Sequence, residues 1–194
     1  MCINYIWTRV HKMEALSVTK SDVNNSLLTL LINILVAIPG YFLYTKGYIQ
    51  FTEHHFFIDL LLLLIGFDFS MYFLHYLSHT VKFLKSLHND HHTHTSFNVF
   101  SLYVMNPFES FSFGLLLTVA CFLFPVNIYS FLVFLVFNWL YGVISHLNTN
   151  SSSQPTVFVN HIFHKTHHTQ YDCNYGFYTL LWDKLFGTFA KEGK

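Results

Sequence analysis

Residues 56–79 read FFIDLLLLLIGFDFSMYFLHYLSH, and this stretch decides the predicted fold. It is apolar from about Phe56 to Leu77, apart from Asp59 and Asp68. About 20 apolar residues are the length that an α-helix needs to cross a hydrocarbon core of about 30 Å. The stretch ends on His75 and His79, and residues four apart lie on one face of a helix. The sequence therefore predicts a membrane helix that presents two imidazoles at one membrane face.

Three further apolar stretches run from about Leu27 to Tyr44, from Phe108 to Phe124 and from Val126 to Ile144. Backbone polar groups in lipid must be satisfied internally, so each stretch is predicted to be a helix. Pro39 and Gly40 are expected to kink or end the first of them. Little more than Pro125 separates the last two, which predicts either a tight helical hairpin or a pair that only partly crosses.

The composition also favours a membrane protein. Of 194 residues, 53% are hydrophobic and 10% are charged, whereas a soluble domain carries about 25% charged residues. A soluble helical protein with a very apolar core is the less favoured alternative. The net charge is zero with histidine neutral, which argues against nucleic acid as a partner. We predict a polar N-terminal segment over 1–23 and a single membrane domain over 24–194.

Lysine and arginine residues orient this domain. If all four stretches cross, the N-terminus, residues 78–107 and the C-terminus share one side. That side holds nine of the ten Lys and Arg residues, and the other side holds only Lys46. Such an asymmetry marks the cytosolic side. The predicted fold is thus an all-α integral membrane domain with about four transmembrane helices and a cytosolic helical cap, formed by 78–107 and 145–194, that holds a histidine-rich dimetal site.

Histidine is the residue type in excess, and eleven of the 14 lie in two windows on the predicted cytosolic side. The pattern H-x-x-H-H occurs at 88–92 and again at 164–168. Positions i, i+3 and i+4 share a helix face, so each box is expected to offer three nitrogens from one helical turn. Nine candidate ligands exceed the four of a zinc site or the six of an octahedral ion, which predicts two metal ions. The predicted ligands are His75, His79, His88, His91, His92, His146, His164, His167 and His168.

The other histidines are assigned differently. His11, His54 and His55 lie outside the pattern and are predicted to be interfacial or surface residues. His94 and His161 are intermediate, and His161 is either a tenth ligand or a partner for the second ring nitrogen of a ligand. Imidazole suits zinc and iron alike, so spacing leaves the metal open. A histidine-rich membrane protein that binds or transports metal without redox catalysis, and one with structural zinc, are the alternatives.

Three parts of the chain together resemble the fatty acid hydroxylase / sterol desaturase superfamily of membrane di-iron oxidases. The first is HYLSHTVKFLKSLHNDHH, at residues 75–92. The second is the isolated His146 in ISHLN, after a membrane segment. The third is HKTHHTQYDCNYGFYTLLWDKLFGT, at 164–188, in which a histidine box is joined to an N-Y-G…W-D-x-L-F-G-T tail.

The resemblance implies an O₂-dependent lipid oxidase, either a hydroxylase or a desaturase of a sterol, fatty acyl or related lipid. It implies two Fe ions on the nine histidines, with zinc as an alternative occupant in the isolated protein, and O₂ as co-substrate. It also implies a membrane lipid as substrate and an external electron donor, such as a small haem or iron–sulfur protein with an NAD(P)H reductase. Hydroxylases and desaturases share the ligand set, so the reaction outcome stays open. The membrane would be the bacterial inner membrane or the endoplasmic reticulum.

Several residues are expected to support the site. Asp68 should face the protein interior and support the histidines, and Asp183 or Asn174 should accept a ligand imidazole N–H. The other tail residues with a supporting or structural role are Tyr175, Gly176 and Trp182. Aromatic residues that either line a substrate channel or, for most of them, pack or face lipid are Phe67, Phe69, Tyr72, Phe73, Phe108 and Phe111.

Overall fold

The computed structural model describes residues 2–10, 17–93, 97–147 and 155–190. Its helices are α1 (Cys2–Val10), α2 (Lys20–Thr45), α3 (Phe56–Thr80), α4 (Lys82–His88), α5 (Pro107–Leu123), α6 (Ile128–Ser145), α7 (His161–Gln170) and α8 (Leu181–Phe186). Two 3-10 turns span His91–Thr93 and Ser101–Tyr103, and two short strands, β1 (Phe51–Thr52) and β2 (Val126–Asn127), pair in parallel. The predicted all-α fold is confirmed over these residues.

The four long helices run between the same two ends of the molecule. Helices α2 and α5 begin at one end, where α3 and α6 finish. At that end Asn98 Nδ2 donates to Asp22 Oδ2 near the start of α2, over 3.0 Å, and His88 contacts Glu109 near the start of α5. At the opposite end β1 precedes α3, β2 precedes α6, and the two strands pair. We call these the histidine end and the strand end.

The bundle is built from two tightly packed helix pairs, α2 with α5 and α3 with α6. Gly114 marks the closest approach of the first pair, because a Cβ added there would lie 2.6 Å from Val36 Cγ1. The second pair shares an apolar core in which Phe67 and Phe134 pack edge to face at 5.1 Å. These contacts leave a cavity between the two pairs, which is described below.

The bundle buries several small polar side chains and exposes many large apolar ones. The small polar side chains of Ser26, Thr29 and Ser130 are buried to within 1% exposure, whereas Phe57 and Ile34 are 82% and 64% exposed. Large apolar faces of this kind are costly in water and neutral in lipid. Three helices, α2, α3 and α6, are long and apolar enough to cross a membrane, and α5 is shorter. The chain is an integral membrane protein, and the count of four crossings stays a prediction.

Helix α2 begins and ends differently from the apolar stretch seen in the sequence. A capping box starts it early: Thr19 Oγ1 accepts from Asp22 N at 3.2 Å, and Asp22 Oδ2 accepts from Thr19 N at 2.9 Å. The sequence predicted either a kink or an end at Pro39 and Gly40. The end is wrong, because α2 continues through both residues to Thr45, and the kink stays a prediction. A proline is tolerated in a membrane helix when neighbouring groups satisfy the freed backbone carbonyl.

Asp68 anchors the C-terminal tail to the middle of α3. It is 4% exposed. Its Oδ1 accepts from the backbone N–H of Tyr178 at 2.7 Å and of Thr179 at 3.2 Å. Its Oδ2 accepts from Thr179 Oγ1 at 2.6 Å and from Trp182 Nε1 at 3.1 Å. Asp68 therefore faces the protein interior, and it supports the site by fixing the tail.

Replacing Asp68 with alanine should destabilise the protein, because four donors lose one carboxylate acceptor. A charged hydrogen-bond network of this kind is worth at least about 2 kcal/mol, which corresponds to a fall of roughly 5 °C or more in melting temperature. Thermal unfolding in detergent measures the change. The exposed Glu53 at the strand end offers the control, since Glu53→Gln should melt like the wild type. Equal melting of Asp68→Ala and Glu53→Gln would contradict the anchoring role.

Candidate metal centre

All nine histidines predicted from the sequence converge at the histidine end. They form two adjacent groups, and within each group one ring nitrogen of every member lies within 4.8 Å of the others. The first histidine group is His75, His79, His88, His92 and His167; the second is His91, His146, His164 and His168. His167 and His168 are completely or almost completely buried, at 0% and 1% exposure. In the sequence, members of the first group lie up to 92 positions apart and members of the second up to 77 positions apart. Only the folded structure brings them together.

The two H-x-x-H-H boxes are each divided between the groups. In both boxes the i and i+4 residues join one group, and the i+3 residue joins the other. Consecutive residues on a helix point about 100° apart, so His167 and His168 on α7 address different groups. The expectation that residues 88–92 occupy one helical turn is wrong. Helix α4 ends at His88, and a 3-10 turn begins at His91.

Within the described part of the chain, five of the nine rings are held by an oxygen at their outer nitrogen. The bonds join His75 Nδ1 to Tyr175 O at 3.0 Å, His88 Nδ1 to Glu109 Oε1 at 2.6 Å, His91 Nδ1 to Val104 O at 3.2 Å, His146 Nδ1 to Gly142 O at 2.9 Å and His167 Nδ1 to Cys173 O at 2.7 Å. A carbonyl oxygen can only accept, so in the four rings bonded to carbonyls Nδ1 carries the proton. In a neutral ring the lone pair then lies on Nε2, which is the form of imidazole that binds a metal through that atom.

The inner nitrogens crowd together at distances that suit metal ligands. His92 Nε2 lies 3.1 Å from His79 Nε2 and 3.0 Å from His167 Nε2. His164 Nε2 lies 3.1 Å from both His146 Nε2 and His168 Nε2. A single ring N–H does not make good hydrogen bonds to two such neighbours at once. Two nitrogens that each lie about 2.1 Å from one metal ion, with an angle of about 90° at the ion, are about 3.0 Å apart.

Two buried nitrogens point to the same conclusion. His75 Nε2 and His88 Nε2 have no hydrogen-bond partner among the described residues. A buried polar atom without a partner costs about 1–3 kcal/mol, and a bound ion would remove that cost. Each histidine group is therefore able to hold a metal ion.

Burial keeps the imidazoles neutral, as metal binding requires. It lowers the pKa of His88 to about 4 and that of His92 to about 2. Burial, with the neighbouring imidazoles, also lowers the pKa values of His164 and His167 well below the ordinary range. At neutral pH these four rings therefore pack side by side without mutual charge repulsion.

Asp183 positions the turn that supports His75. The carboxylate is fully buried, and it accepts from Tyr175 N at 2.8 Å, from Gly176 N at 2.7 Å and from Thr188 Oγ1 at 2.7 Å. The carbonyl of Tyr175 then accepts from His75. The turn requires glycine at position 176, because an added Cβ would lie 2.6 Å from Asp183 Oδ2 and from a backbone oxygen. Asp183 thus acts through the backbone.

The expectation that Asp183 or Asn174 accepts an imidazole N–H is wrong among the described residues. Asn174 Nδ2 donates to the Phe163 carbonyl at 3.3 Å, and Asn174 Oδ1 accepts from a backbone N–H near the end of the tail. Glu109 is a carboxylate that contacts a ring of the first histidine group, and the sequence reasoning missed it. Its signal was its isolation, since it is the only charged residue in α5. A lone carboxylate in an apolar helix is expected to have a partner.

The other described histidines, at positions 54, 55 and 161, belong to neither group. His54 and His55 are at the strand end, separated from His75 by about 30 Å of α3. His161 begins α7 and belongs to neither group. His11 and His94 lie outside the described residues, so their predicted roles stay predictions.

A cavity of about 710 Å³ extends from both histidine groups into the space between the helix pairs. It contacts His88 of the first group and His146 of the second, and it follows α5 as far as Cys121. Its size is within the range of about 300–1,000 Å³ typical of small-molecule sites. Of the aromatic residues considered from the sequence, Phe67 and Phe108 line the cavity, Phe69, Phe73 and Phe111 are exposed, and Tyr72 is buried against the tail at Thr188.

A bundle of apolar helices with two histidine groups beside an apolar cavity defines a helical membrane protein with a histidine site able to hold metal. The family model described as fatty acid hydroxylase matches residues 60–188, a range that includes all nine histidines. The chain belongs to this family. The predicted membership of the fatty acid hydroxylase / sterol desaturase superfamily is confirmed.

Named relatives agree with this membership. The chain is 29% identical over 152 residues to a Delta(7)-sterol 5(6)-desaturase of Eremothecium gossypii. The aligned region covers 78% of this chain and 42% of the relative. The chain is 26% identical over 136 residues to the alkylglycerol monooxygenase of Homo sapiens, covering 67% of this chain and 30% of the relative. The chain thus spans less than half the length of these two proteins. No solved structure matches it.

Metal analysis should separate the two groups. We expect about two ions per chain in the wild type, because each group can hold one. In each group one nitrogen contacts the nitrogens of two other histidines, and these are Nε2 of His92 and Nε2 of His164. Each of the variants His92→Ala and His164→Ala should therefore retain about one ion, and the double variant almost none. Elemental analysis of purified protein measures this. His54→Ala, at the strand end, should keep two ions, and a double variant that also keeps two would disprove the assignment.

Removing the acceptor of His88 should weaken the first group. In Glu109→Ala the Nδ1 proton of His88 loses its partner, and the loss of such an outer hydrogen bond typically lowers metal affinity by about 10–100-fold. Glu109→Gln keeps an oxygen acceptor and should lose much less. Titration against a competing chelator measures both. Ser112→Ala, on the same helix, is the control, because that hydroxyl donates to the Phe108 carbonyl within α5. Equal affinity in Glu109→Ala and Ser112→Ala would exclude a positioning role.

Proposed function

We propose that this protein is an O₂-dependent di-iron lipid oxidase, a hydroxylase or desaturase of a sterol, fatty acyl or related lipid that serves lipid biosynthesis. The observation that carries the proposal is the position of the two histidine groups, at one end of a lipid-sized apolar cavity within a membrane bundle. Membership of the fatty acid hydroxylase family supports it, as do relatives whose names describe a sterol desaturase and an alkylglycerol monooxygenase.

The two groups would hold one iron each, with Nε2 atoms as ligands wherever Nδ1 donates to oxygen. When bound, the irons would supply, with O₂, the power to oxidise an unactivated C–H bond. The protein contributes orientation, because carbonyls of the tail and of α6 fix the ring planes of His75, His167 and His146. It also excludes water, because His167 is fully buried and the cavity below the histidines is mainly apolar.

The overall reaction requires electrons from outside the chain. Hydroxylation places one oxygen atom of O₂ in the lipid and releases the other as water, whereas desaturation removes two hydrogen atoms and releases both oxygen atoms as water. Each outcome consumes two electrons and two protons beyond those of the lipid. We propose that a separate small haem or iron–sulfur protein, reduced by an NAD(P)H reductase, provides the electrons.

We propose further that all four long helices cross the membrane and that the histidine end faces the cytosol. Helix α5 supports this topology, because it runs between the same two ends as α2, α3 and α6 and would span about 25 Å. The charge asymmetry supports the orientation. Lys46 follows α2 at the strand end, whereas Lys82 and Lys85 lie on α4 beside the histidines. The membrane would be the bacterial inner membrane or the endoplasmic reticulum.

Lipid analysis under labelled oxygen tests the function. Cells that express the wild type under ¹⁸O₂ should accumulate a lipid that either contains ¹⁸O, after hydroxylation, or has lost two hydrogen atoms, after desaturation. His167→Ala should abolish the product, and His54→Ala should retain it. Identical lipid profiles in wild-type and His167→Ala cells would disprove the oxidase. If metal were bound in the wild type while the lipids stayed unchanged, a metal-binding or transport role would be favoured instead.

A further inference from the structure

The C-terminal tail, residues 171–190, contacts the middle of the bundle as well as its histidine end. Helix α3 begins at Phe56, so Asp68, which accepts four hydrogen bonds from the tail, lies about 18 Å from the strand end. On α6, Asn138 accepts from Tyr178 Oη at 2.6 Å. That residue lies about 15 Å along its own helix. The tail therefore meets two long helices at nearly the same level.

The dimensions of the bundle place this level inside a membrane. Exposed polar residues at 53–55 precede α3 at the strand end. A hydrocarbon core of about 30 Å that begins at Phe56 extends along α3 to about position 76, next to His75. If the tail stayed outside the lipid, only about 18 Å of the bundle would remain for this core, and the bilayer would have to thin to match it. The dimensions thus favour a tail that enters the bilayer.

The outward side of the tail is apolar. Five large side chains of the tail and of the segment 155–159, which pairs with it, are more than half exposed, and we call them the tail patch: Val157, Phe158, Leu181, Leu185 and Phe186. Trp182 packs on Phe69 of α3 with ring centres 4.9 Å apart, and Phe186 stacks on Tyr72 at 5.5 Å. Phe69 is itself 42% exposed. The tail patch is therefore continuous with the apolar outer surface of α3, a helix long enough to cross the membrane.

The polar groups of the tail at this level are paired, as lipid requires. Non-helical backbone is tolerated at membrane depth only where the protein satisfies its polar groups. The carbonyl of Tyr178 accepts from Val159 N at 2.9 Å and from Tyr141 Oη at 2.7 Å. Lys184 lies beside the tail patch on α8, and its ammonium group donates to the Thr156 carbonyl at 3.0 Å. A lysine with a long apolar stem is compatible with the edge of a bilayer.

We infer that the C-terminal tail enters the half of the bilayer at the histidine end, where the tail patch contacts lipid acyl chains. Part of the cap predicted at 145–194 is then a membrane element. The lipid lies against the outer side of the segment whose carbonyls, at Cys173 and Tyr175, hold two rings of the first histidine group. The inference does not depend on the proposed function, so a tail outside the lipid would leave the oxidase untouched.

Photolabelling from within the bilayer tests the inference on the unmodified chain. The protein is irradiated in phosphatidylcholine nanodiscs that contain a phosphatidylcholine with a diazirine in the middle of one acyl chain, and mass spectrometry locates the label. Leu181 and Leu185 should be labelled, as should the exposed Ile65 of α3, whereas Lys82 on α4 should not. An unlabelled tail patch beside a labelled α3 would overturn the inference. So would labelling of the patch by a water-soluble diazirine, since the patch would then face solvent or a soluble partner.

A pair of nitroxide labels provides a second test. Leu185→Cys, in the tail patch, and Lys82→Cys, on α4, are labelled in a background whose native cysteines are replaced by serine. O₂ concentrates in hydrocarbon, whereas chromium oxalate stays in water. Collisions with O₂ should relax the label at position 185 severalfold more than those with chromium oxalate, and the label at position 82 should show the reverse. Equal ratios at the two positions would contradict the immersion of the tail. If the serine background does not fold, photolabelling of the wild type still decides.

Discussion

The hydrogen bonds from histidine Nδ1 to oxygen acceptors constrain the whole structure. Each bond fixes a ring plane, and the acceptors come from distant parts of the chain. Glu109 and Val104 lie around the start of α5, Gly142 is on α6, and Cys173 and Tyr175 belong to the tail. The imidazoles can be oriented together only if all of these segments meet at one end of the bundle.

The tail depends in turn on two buried carboxylates. Asp68 accepts four hydrogen bonds, at 2.6 to 3.2 Å, and Asp183 accepts three, at 2.7 to 2.8 Å. These bonds offset the cost of burying each carboxylate in an apolar bundle. Asp183 holds the backbone at Tyr175, and Tyr175 holds His75. A chain of polar contacts thus runs from the middle of α3 to the first histidine group, inside a protein whose outer surface is apolar.

The same division of polarity shapes the cavity. Apolar side chains such as Phe57 cover the outside, whereas Thr29 is buried and Glu109 contacts His88 beside the cavity. In a bilayer, apolar packing between helices gains little, so polar contacts and close packing at residues such as Gly114 hold the helices together. Polarity at the histidine end therefore contributes to the stability of the bundle.

The sequence by itself determined the helical membrane class, the identity of the nine clustered histidines and their common end. These properties depend on local features, namely the length of apolar stretches and the i, i+4 spacing at positions such as 75 and 79. Only the tertiary structure decided which histidines share a group, so that His91 and His92, although adjacent, belong to different groups. It also assigned Glu109 to His88 and Asp183 to the backbone of the tail. Those pairings depend on how separate helices pack, and spacing along one helix carries no information about the packing of another.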